Sequence, residues 1–351
     1  MVTVGIDPHK HVHVAVAVDA AGRRIGQPLT VKNDALVITN LLKWIRLLTD
    51  DALITWAIED GRGFARRLAD GLLLAGHEVI WVPSRLTAAH RKLHAATGSK
   101  SDPTDAAAAA HAAIATPDLD RHRIDEHIRE LRVLVDYRSD VVKRRTMVIN
   151  QVKAQLHVWL DHTPGDLSRT KALTAVTALA AAPLRAHIRK ALTDMLAEIA
   201  GLNQRIHDLD VTIRDLVTPL APELLEITGI SHNSAAVLIS EIGDITRFSN
   251  SAKLARYMGC APIPVYSSDK ERYRLHRGGN RRLNSMLYTV AIVQKRWNPA
   301  AQALLARHTA DKGARGARRI LQRHLVDVVH RAMSADQASW QHHITRYQPA
   351  A

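Results

Sequence analysis

The chain has 351 residues, 46% of them apolar and 23% charged, the profile of a folded globular protein of two or three domains, not of a disordered or fibrous one. Lys and Arg outnumber Asp and Glu by 48 to 34, giving a net charge of +14, which points to a polyanionic partner. A single cysteine, Cys260, excludes an internal disulfide framework and a Cys-rich zinc site; without a membrane-length apolar run or a leader-like N-terminus, nucleic acid is the expected partner, no membrane is involved, and a reducing cytoplasm is the expected location.

In chain order, VTVGID reads as a buried strand ending at Asp7, and HVHVAVAVD follows across a short turn around Pro8 to Lys10. His9, His11 and His13 alternate there; an exposed strand face is the commoner fate of such a set than a metal trio. A third short run lies near Pro28 to Val31, then a helical pattern in ALVITNLLKWIRLL. ALITWAIE is a strand ending at Glu59, FARRLADGLLLAG a helix stopped by Gly76, and EVIWVP a further strand. This alternation predicts an α/β N-terminal domain over 1–120 with a mixed sheet, and three antiparallel strands before the first helix give an RNase H-like order. No Gly-rich phosphate fingerprint follows the first strand, against a dinucleotide cofactor. In SKSDPTDAAAAA, Asp102 precedes Pro103 and reads as a helix N-cap, with Asp105 three residues on along the same side of the first turn. The alanines from 106 to 110 favour helix and offer a thin packing face.

Residues 121–220 read as a helical arm. Ile124, Ile128, Leu131, Val135, Val142, Ile149, Val152 and Leu156 recur at helical spacing, with Arg138 and Arg145 in the same seam. After a loop containing Pro164 and Gly165, a second seam runs through Ile188, Leu192, Met195, Ile199, Leu202, Ile206, Leu209, Ile213 and Leu216, alternating steps of four and three as in a coiled coil. Such an arm either folds back on itself or pairs with another subunit; the alternative is a bundle packed on the globular domain. Its Arg residues form a solvated face or track nucleic acid.

Residues 221–351 open with LLEITGISHNSAAVLISEIGD, whose turn at Thr228-Gly229-Ile230 resembles a helix-hairpin-helix that would present backbone N–H groups at Gly229 to a phosphate. A glycine between helices is also a plain C-cap. Then Arg256, Arg272, Arg274, Arg277, Arg281 and Arg282 interleave with Tyr257, Tyr266 and Tyr273, a candidate nucleic-acid backbone surface. Gly278-Gly279-Asn280 supplies a reversal. DKGARGARR (311–319) reads as a basic flexible loop touching nucleic acid, the alternative being a soluble linker, and His324 and His330 read as surface residues.

Asp7, Glu59, Asp102 and Asp105 together suit one metal site. Acids end strands and cap helices in most proteins, but four in this order supply the hard oxygen ligands that Mg²⁺ or Mn²⁺ needs, and two such ions can clamp a phosphodiester during displacement.

GIDPHK, AIED and SKSDPTDA resemble, in order and spacing, the DEDD transposases of bacterial insertion sequences, the group related to the Piv/MooV DNA invertases. LLEITGISHNSAAVLISEIGDITRFSNSAKLARYMGCAP and HRGGNRRLN resemble that family's second conserved region. The likeness covers the first 110 residues and roughly Leu224 to Arg296. It implies a RuvC-like (RNase H-type) domain, a coiled-coil arm and a C-terminal transposase domain that is mainly α. It makes Asp7, Glu59, Asp102 and Asp105 the metal-binding tetrad, gives Lys10 a phosphate contact, and places the family's nucleophilic serine at Ser267. The pattern departs there: Ser268 stands where the family usually has Gly, and Tyr266 where many members have the first Ser, so Ser268 is a rival. A structured RNA from the element, acting as guide, and double-stranded DNA at the element's ends and target are the implied partners, and strand exchange implies a homo-oligomer, dimer or tetramer. The chemistry so implied is metal-dependent cleavage and rejoining through a phosphoserine. The rival enzyme is a RuvC-like structure-selective endonuclease that activates water, and the rival of another class is a non-catalytic nucleic-acid-binding protein.

Overall fold

The computed structural model of the chain describes residues 1–50, 54–59, 63–94, 101–179, 184–267, 270–275 and 278–346, with backbone alone at 94, 266, 267, 270–272, 275 and 340–346. It divides into two compact units, Met1–Asp125 and Glu126–Ala351.

The first unit runs β1 (Val2–Pro8), β2 (Val12–Val18), β3 (Arg24–Lys32), α1 (Val37–Arg46), β4 (Ile54–Glu59), α2 (Arg66–Leu74), β5 (Glu78–Val82), α3 (Ser84–His94), α4 (Asp102–Ala115) and β6 (Asp120–Arg121). Its mixed sheet has the order β3-β2-β1-β4-β5-β6. The first three strands are antiparallel neighbours, while β4 and β5 run parallel to β1, as the RNase H-like order requires. Strand periodicity sorts the side chains between two faces. Val2, Val4, Ile6, Ile54, Trp56 and Ile58 pack with Leu41 and Ile45 of α1 and Leu68 and Leu72 of α2. On the opposite face, Val14, Val16 and Val18 of β2 and Ala57 of β4 receive the alanines of α4. The approach is closest at Gly5, where a Cβ would stand 1.8 Å from the Ala106 carbonyl oxygen. The alanine run is therefore a packing face against which even a methyl group on β1 has no room.

The second unit contains α5 (Glu126–Leu160), α6 (Thr170–Leu179), α7 (Ala186–Val217), α8 (Pro222–Leu225), α9 (His232–Ile242), α10 (Ser251–Tyr257), a hairpin of β7 (Pro262–Ser267) and β8 (Lys270–Leu275), α11 (Arg281–Trp297) and α12 (Pro299–Arg346). It is mostly helical. α5 and α7 fold back on each other: Arg138 pairs with Asp210 and Arg144 with Glu198, so the two helices run antiparallel. Their shared core includes Val141, Val148, Val152, Leu156, Leu192, Leu196, Ile199, Leu202, Ile206 and Leu209.

That core keeps the predicted seam, with Val142, Ile149 and Met195 packed partly buried against it, but its most buried positions differ by single residues. Val141, Val148, Leu196 and Val217 are buried, where Val142, Ile149, Met195 and Leu216 were expected. A helix of 3.6 residues per turn drifts from a strict heptad, so the buried position shifts to the neighbouring residue. Arg138 and Arg145 are interhelical ties, to Asp210 and to Asn203, and not a face presented to solvent. At the root of the arm, Leu131, Val135, Ile213 and Val217 belong to the same apolar core as α9, α11 and α12, so arm and C-terminal helices share one core across the boundary expected near residue 220. The segment between the long helices carries α6, whose Leu173 and Val176 cover the arm's core. DKGARGARR is helical, not a loop: it lies within α12, which breaks only at Gly313 (φ 67°, ψ 168°). His330, read as a surface residue, is half-buried, and its Nε2 meets the Phe248 carbonyl at 3.1 Å.

Candidate metal centre and nucleic-acid interface

Asp7 follows Gly5 by two residues and Glu59 follows Ala57 by two, so both carboxylates project from the α4 face of the sheet. β1 and β4 are parallel neighbours, which brings both strand ends to one edge. The close seating of α4 on Gly5 delivers that helix's first turn, with Asp102 and Asp105, to the same face. The helix begins one residue earlier than the sequence suggested. Ser101 holds the extended cap position and its carbonyl accepts from the Asp105 N–H at 3.0 Å, so Asp102 is the first helical residue and not the N-cap. Acids in a first turn also face the positive end of the helix dipole.

Asp7 is buried, with 8% of its surface exposed. Burial pushes its pKa up to about 6; His9 opposes the shift, while Glu59, Asp105 and Asp102 add to it. The Asp7 carboxyl thus senses the charge of all three other acids. The His9 Nε2 stands 3.3 Å from Asp7 Oδ2 and 3.6 Å from Asp102 Oδ2, and these three side chains could hold a metal ion. On the other side, the Arg91 guanidinium of α3 donates to Asp105, which is 5% exposed. Neither contact was anticipated. His9 was weighed with His11 and His13 as a strand face, but the N–H of His9 bonds the Val12 carbonyl at 3.0 Å across a turn formed by Lys10 and His11. His13 is buried inside β2, where burial lowers its pKa and the Asn33 side chain opposes the shift. Arg91 carries no sequence signal, because its relevance depends on α3 packing against α4.

Lys10 is exposed in the turn beside Asp7. Glu59 ends β4 half-buried. Asp7, Asp102 and His9 stand close enough together to hold a divalent cation, while Glu59 and Asp105 act on Asp7 through their charge; burial is the first cause of the raised Asp7 pKa and the acids add to it.

In the second unit, Ser267 is the last residue of β7 and pairs with Lys270 of β8. Its side chain, Ser268, the Arg272 side chain and Arg277 lie outside the described residues. The roots of this hairpin are fixed by backbone contact. A Cβ on Gly279 would lie 2.2 Å from the Gly259 nitrogen, and the Asn280 N–H bonds the Tyr257 carbonyl at 2.7 Å. Asn284 donates to the Met258 and Gly259 carbonyls at 3.2 and 3.0 Å. Beneath them Glu241 of α9 accepts from Asn280 at 2.7 Å and pairs with Arg282 at 3.2 Å and Arg132 at 3.5 Å.

Arg282, predicted to contact nucleic acid, pairs with Asp136 and Glu241. Arg256, Arg274 and Arg281 are exposed, as is Tyr273 at 63%. Gly229 has a positive φ of 91° in the turn before α9, and a Cβ there would stand 3.1 Å from the Val293 Cβ, so packing against α11 already requires glycine. The helix preceding that turn, α8, has only four residues.

A family model described as transposase matches residues 4–159, and that of the transposase IS116/IS110/IS902 family matches residues 221–306. An insertion element IS116 protein of Streptomyces clavuligerus is 29% identical over 82% of this chain and 83% of its own length. An insertion element IS900 protein of Mycobacterium paratuberculosis is 26% identical over 86% and 87%. A transposase for insertion sequence element IS1111A of Coxiella burnetii is 25% identical over 52% and 49%. No helix among the described residues is long and apolar enough to cross a membrane.

Proposed function

We propose that this chain, which belongs to the IS116/IS110/IS902 family of insertion-sequence transposases, cuts and rejoins DNA through a serine nucleophile and a divalent-metal cage. Membership implies an enzyme that binds, cleaves and rejoins DNA; the finer chemistry is our reading. The observation that carries it is the meeting of Asp7, Asp102 and His9 within reach of one cation, with the charges of Glu59 and Asp105 adding to the rise that burial gives the Asp7 pKa. Like charges are gathered at that cost where a cation completes the site.

Asp7, Asp102, Asp105 and Glu59 would hold Mg²⁺ or Mn²⁺, with His9 as a further donor. When bound, the ion supplies charge neutralisation at a phosphoryl oxygen and at the departing 3′ oxygen. The Ser267 oxygen attacks phosphorus, the bond from phosphorus to the 3′ oxygen breaks, and that oxygen takes up a proton. The phosphoserine keeps the bond, so a second hydroxyl can displace the serine without an energy source. Ser267 ends a strand, and it is our assignment of the nucleophile, with Ser268, outside the described residues, as its rival. Exposed Arg256, Arg274 and Arg281 support contact with the nucleic-acid backbone, and Arg272, Arg277 and Lys10 are assigned the same part. Gly229 joins them with a backbone N–H toward a phosphate. The family likeness supports a guide RNA from the element as well as duplex DNA, and the strand exchange supports a homo-oligomer. Coiled-coil character of the α5–α7 arm and a helix-hairpin-helix around Gly229 belong to this same reading.

The test is a covalent protein–DNA adduct, trapped on a denaturing gel with Mg²⁺ and element-end DNA. Wild type forms it and Ser267→Ala does not. An adduct that persists in Ser267→Ala and disappears in Ser268→Ala moves the nucleophile by one residue. Metal-dependent cleavage with no adduct at all replaces the serine reading with water activation, and no cleavage leaves a binding protein.

A further inference from the structure

Resting on the metal reading of the cage, we propose that Arg91 is an internal counter-cation: it holds Asp105 when no divalent ion is present and competes with that ion for the cage. Arg91 lies on α3, its side chain 24% exposed, and its guanidinium donates to an Asp105 carboxylate that is 6% exposed. That hydrogen bond is the first cause favouring its charged form, and the charges of Asp105, Glu59 and Asp7 act in the same sense. Arg91 thus pairs directly with Asp105 and feels the charge of Glu59 and Asp7. His9 sits on the other side, between Asp7 and Asp102, and leaves Asp105 to Arg91.

Arginine does not deprotonate in proteins. A protonated acid can release its proton to an incoming ion, and a histidine can turn neutral and become a ligand, but a guanidinium can only move aside. For the ion to use Asp105, the bond to Arg91 must be given up, and the measured affinity for the ion is lowered by that amount. If Arg91 stays, the ion has three carboxylates instead of four. Either way, removing the guanidinium while keeping the length and packing of the side chain strengthens ion binding. A merely structural Arg91 predicts the opposite, since losing it would leave Asp105 misplaced.

The experiment is a Mn²⁺ titration of the full-length, nucleic-acid-free chain at about pH 8, where carboxylates are ionised, with free Mn²⁺ read by electron paramagnetic resonance. Arg91→Met is expected to bind Mn²⁺ about tenfold more tightly than wild type, the ratio that one charge-assisted contact commands. Arg91→Lys keeps the charge without the planar fork and is expected to lie between them. Circular dichroism melts in chelator show whether each variant is folded. Unchanged or weaker binding by folded Arg91→Met overturns the proposal; should that variant not fold, unchanged or weaker binding by Arg91→Lys does. Asp7→Asn separates the two layers of the argument. If it leaves wild-type Mn²⁺ affinity intact, the metal cage itself is wrong and the counter-cation falls with it. If it weakens binding while Arg91→Met changes nothing, the cage stands and only Arg91's part is lost.

Discussion

The acid cage and the serine hairpin are placed by opposite means. The cage stands on strand ends and a first helical turn, locked where α4 lies against Gly5, and its central carboxyl is buried. Ser267 closes one strand of a two-stranded ribbon with an exposed Tyr273 and Arg274, and the ribbon is held at its roots by Gly259, Gly279, Asn280, Asn284 and Glu241. An isolated hairpin is marginally stable in water. The comparison teaches that the placement of the acids is built into a sheet core, while the backbone at Ser267 depends on contacts some distance along the chain. The two should therefore fail separately.

The largest expected effect is on the cage. Asp7→Asn, Glu59→Gln or Asp105→Asn should lower strand cleavage by about a thousandfold or more, the scale of losing metal-based charge stabilisation, with binding of element-end DNA retained. Wild-type cleavage rates in any of these variants would remove that acid from the chemistry.

A matched pair of alanines sharpens the contrast. Gly5→Ala puts a methyl into the α4 backbone and Gly279→Ala puts one into the backbone at Gly259; overpacking of this kind costs about 1–3 kcal/mol, and more where backbone must move. Gly5→Ala should weaken Mn²⁺ binding and lower the melting temperature of the first unit. Gly279→Ala should reduce adduct formation while Mn²⁺ affinity stays at the wild-type value. Crossed effects would mean that the two regions are not independent.

Glu241 tests the hairpin's roots at a smaller scale. Glu241→Gln keeps a partner for Asn280 but loses the charge that answers Arg282 and Arg132. It should destabilise the second unit by about 2 kcal/mol and slow adduct formation, with Mn²⁺ affinity unmoved. A stable variant with normal adduct yield would show that the roots do not depend on this carboxylate.

These contrasts also explain what the sequence could and could not disclose. Strand parity is local, so VTVGID and LITWAIE already gave the strands that carry Asp7 and Glu59, and the sheet order followed from three extended runs before a helix. The seam of α7 was legible for the same reason, within one residue. Arg91 was not, because nothing in AAHRKLH marks which cation α3 will turn toward Asp105. The partners of Arg282 were not legible, since a basic run looks the same whether its members face water or, as here, pair with Asp136 and Glu241. DKGARGARR looked like a loop because glycine and charge are loop signals, yet packing keeps it helical and concentrates the irregularity at Gly313. The four acids were named together from their order in the sequence, while the pairing of Arg91 with Asp105 and of His9 with Asp7 and Asp102 is a product of tertiary packing.

The arm offers the smallest effect and the cleanest sign. Burial works against ionisation of Asp210, but hydrogen bonds from Arg138 and Asn233 hold its pKa below the ordinary value of 3.8. A carboxyl depressed on folding adds stability that is fully present above the unfolded pKa and is lost as pH falls through the lower, folded value. The Asp210 side chain is 37% exposed, so screening limits the contribution to about 0.5–1 kcal/mol. Wild type should therefore melt slightly above Asp210→Asn at neutral pH, and the gap should close only on acidification below about pH 4. A gap that persisted in acid would mean that Asp210 acts through packing alone, and the charged tie between α5 and α7 would be dispensable.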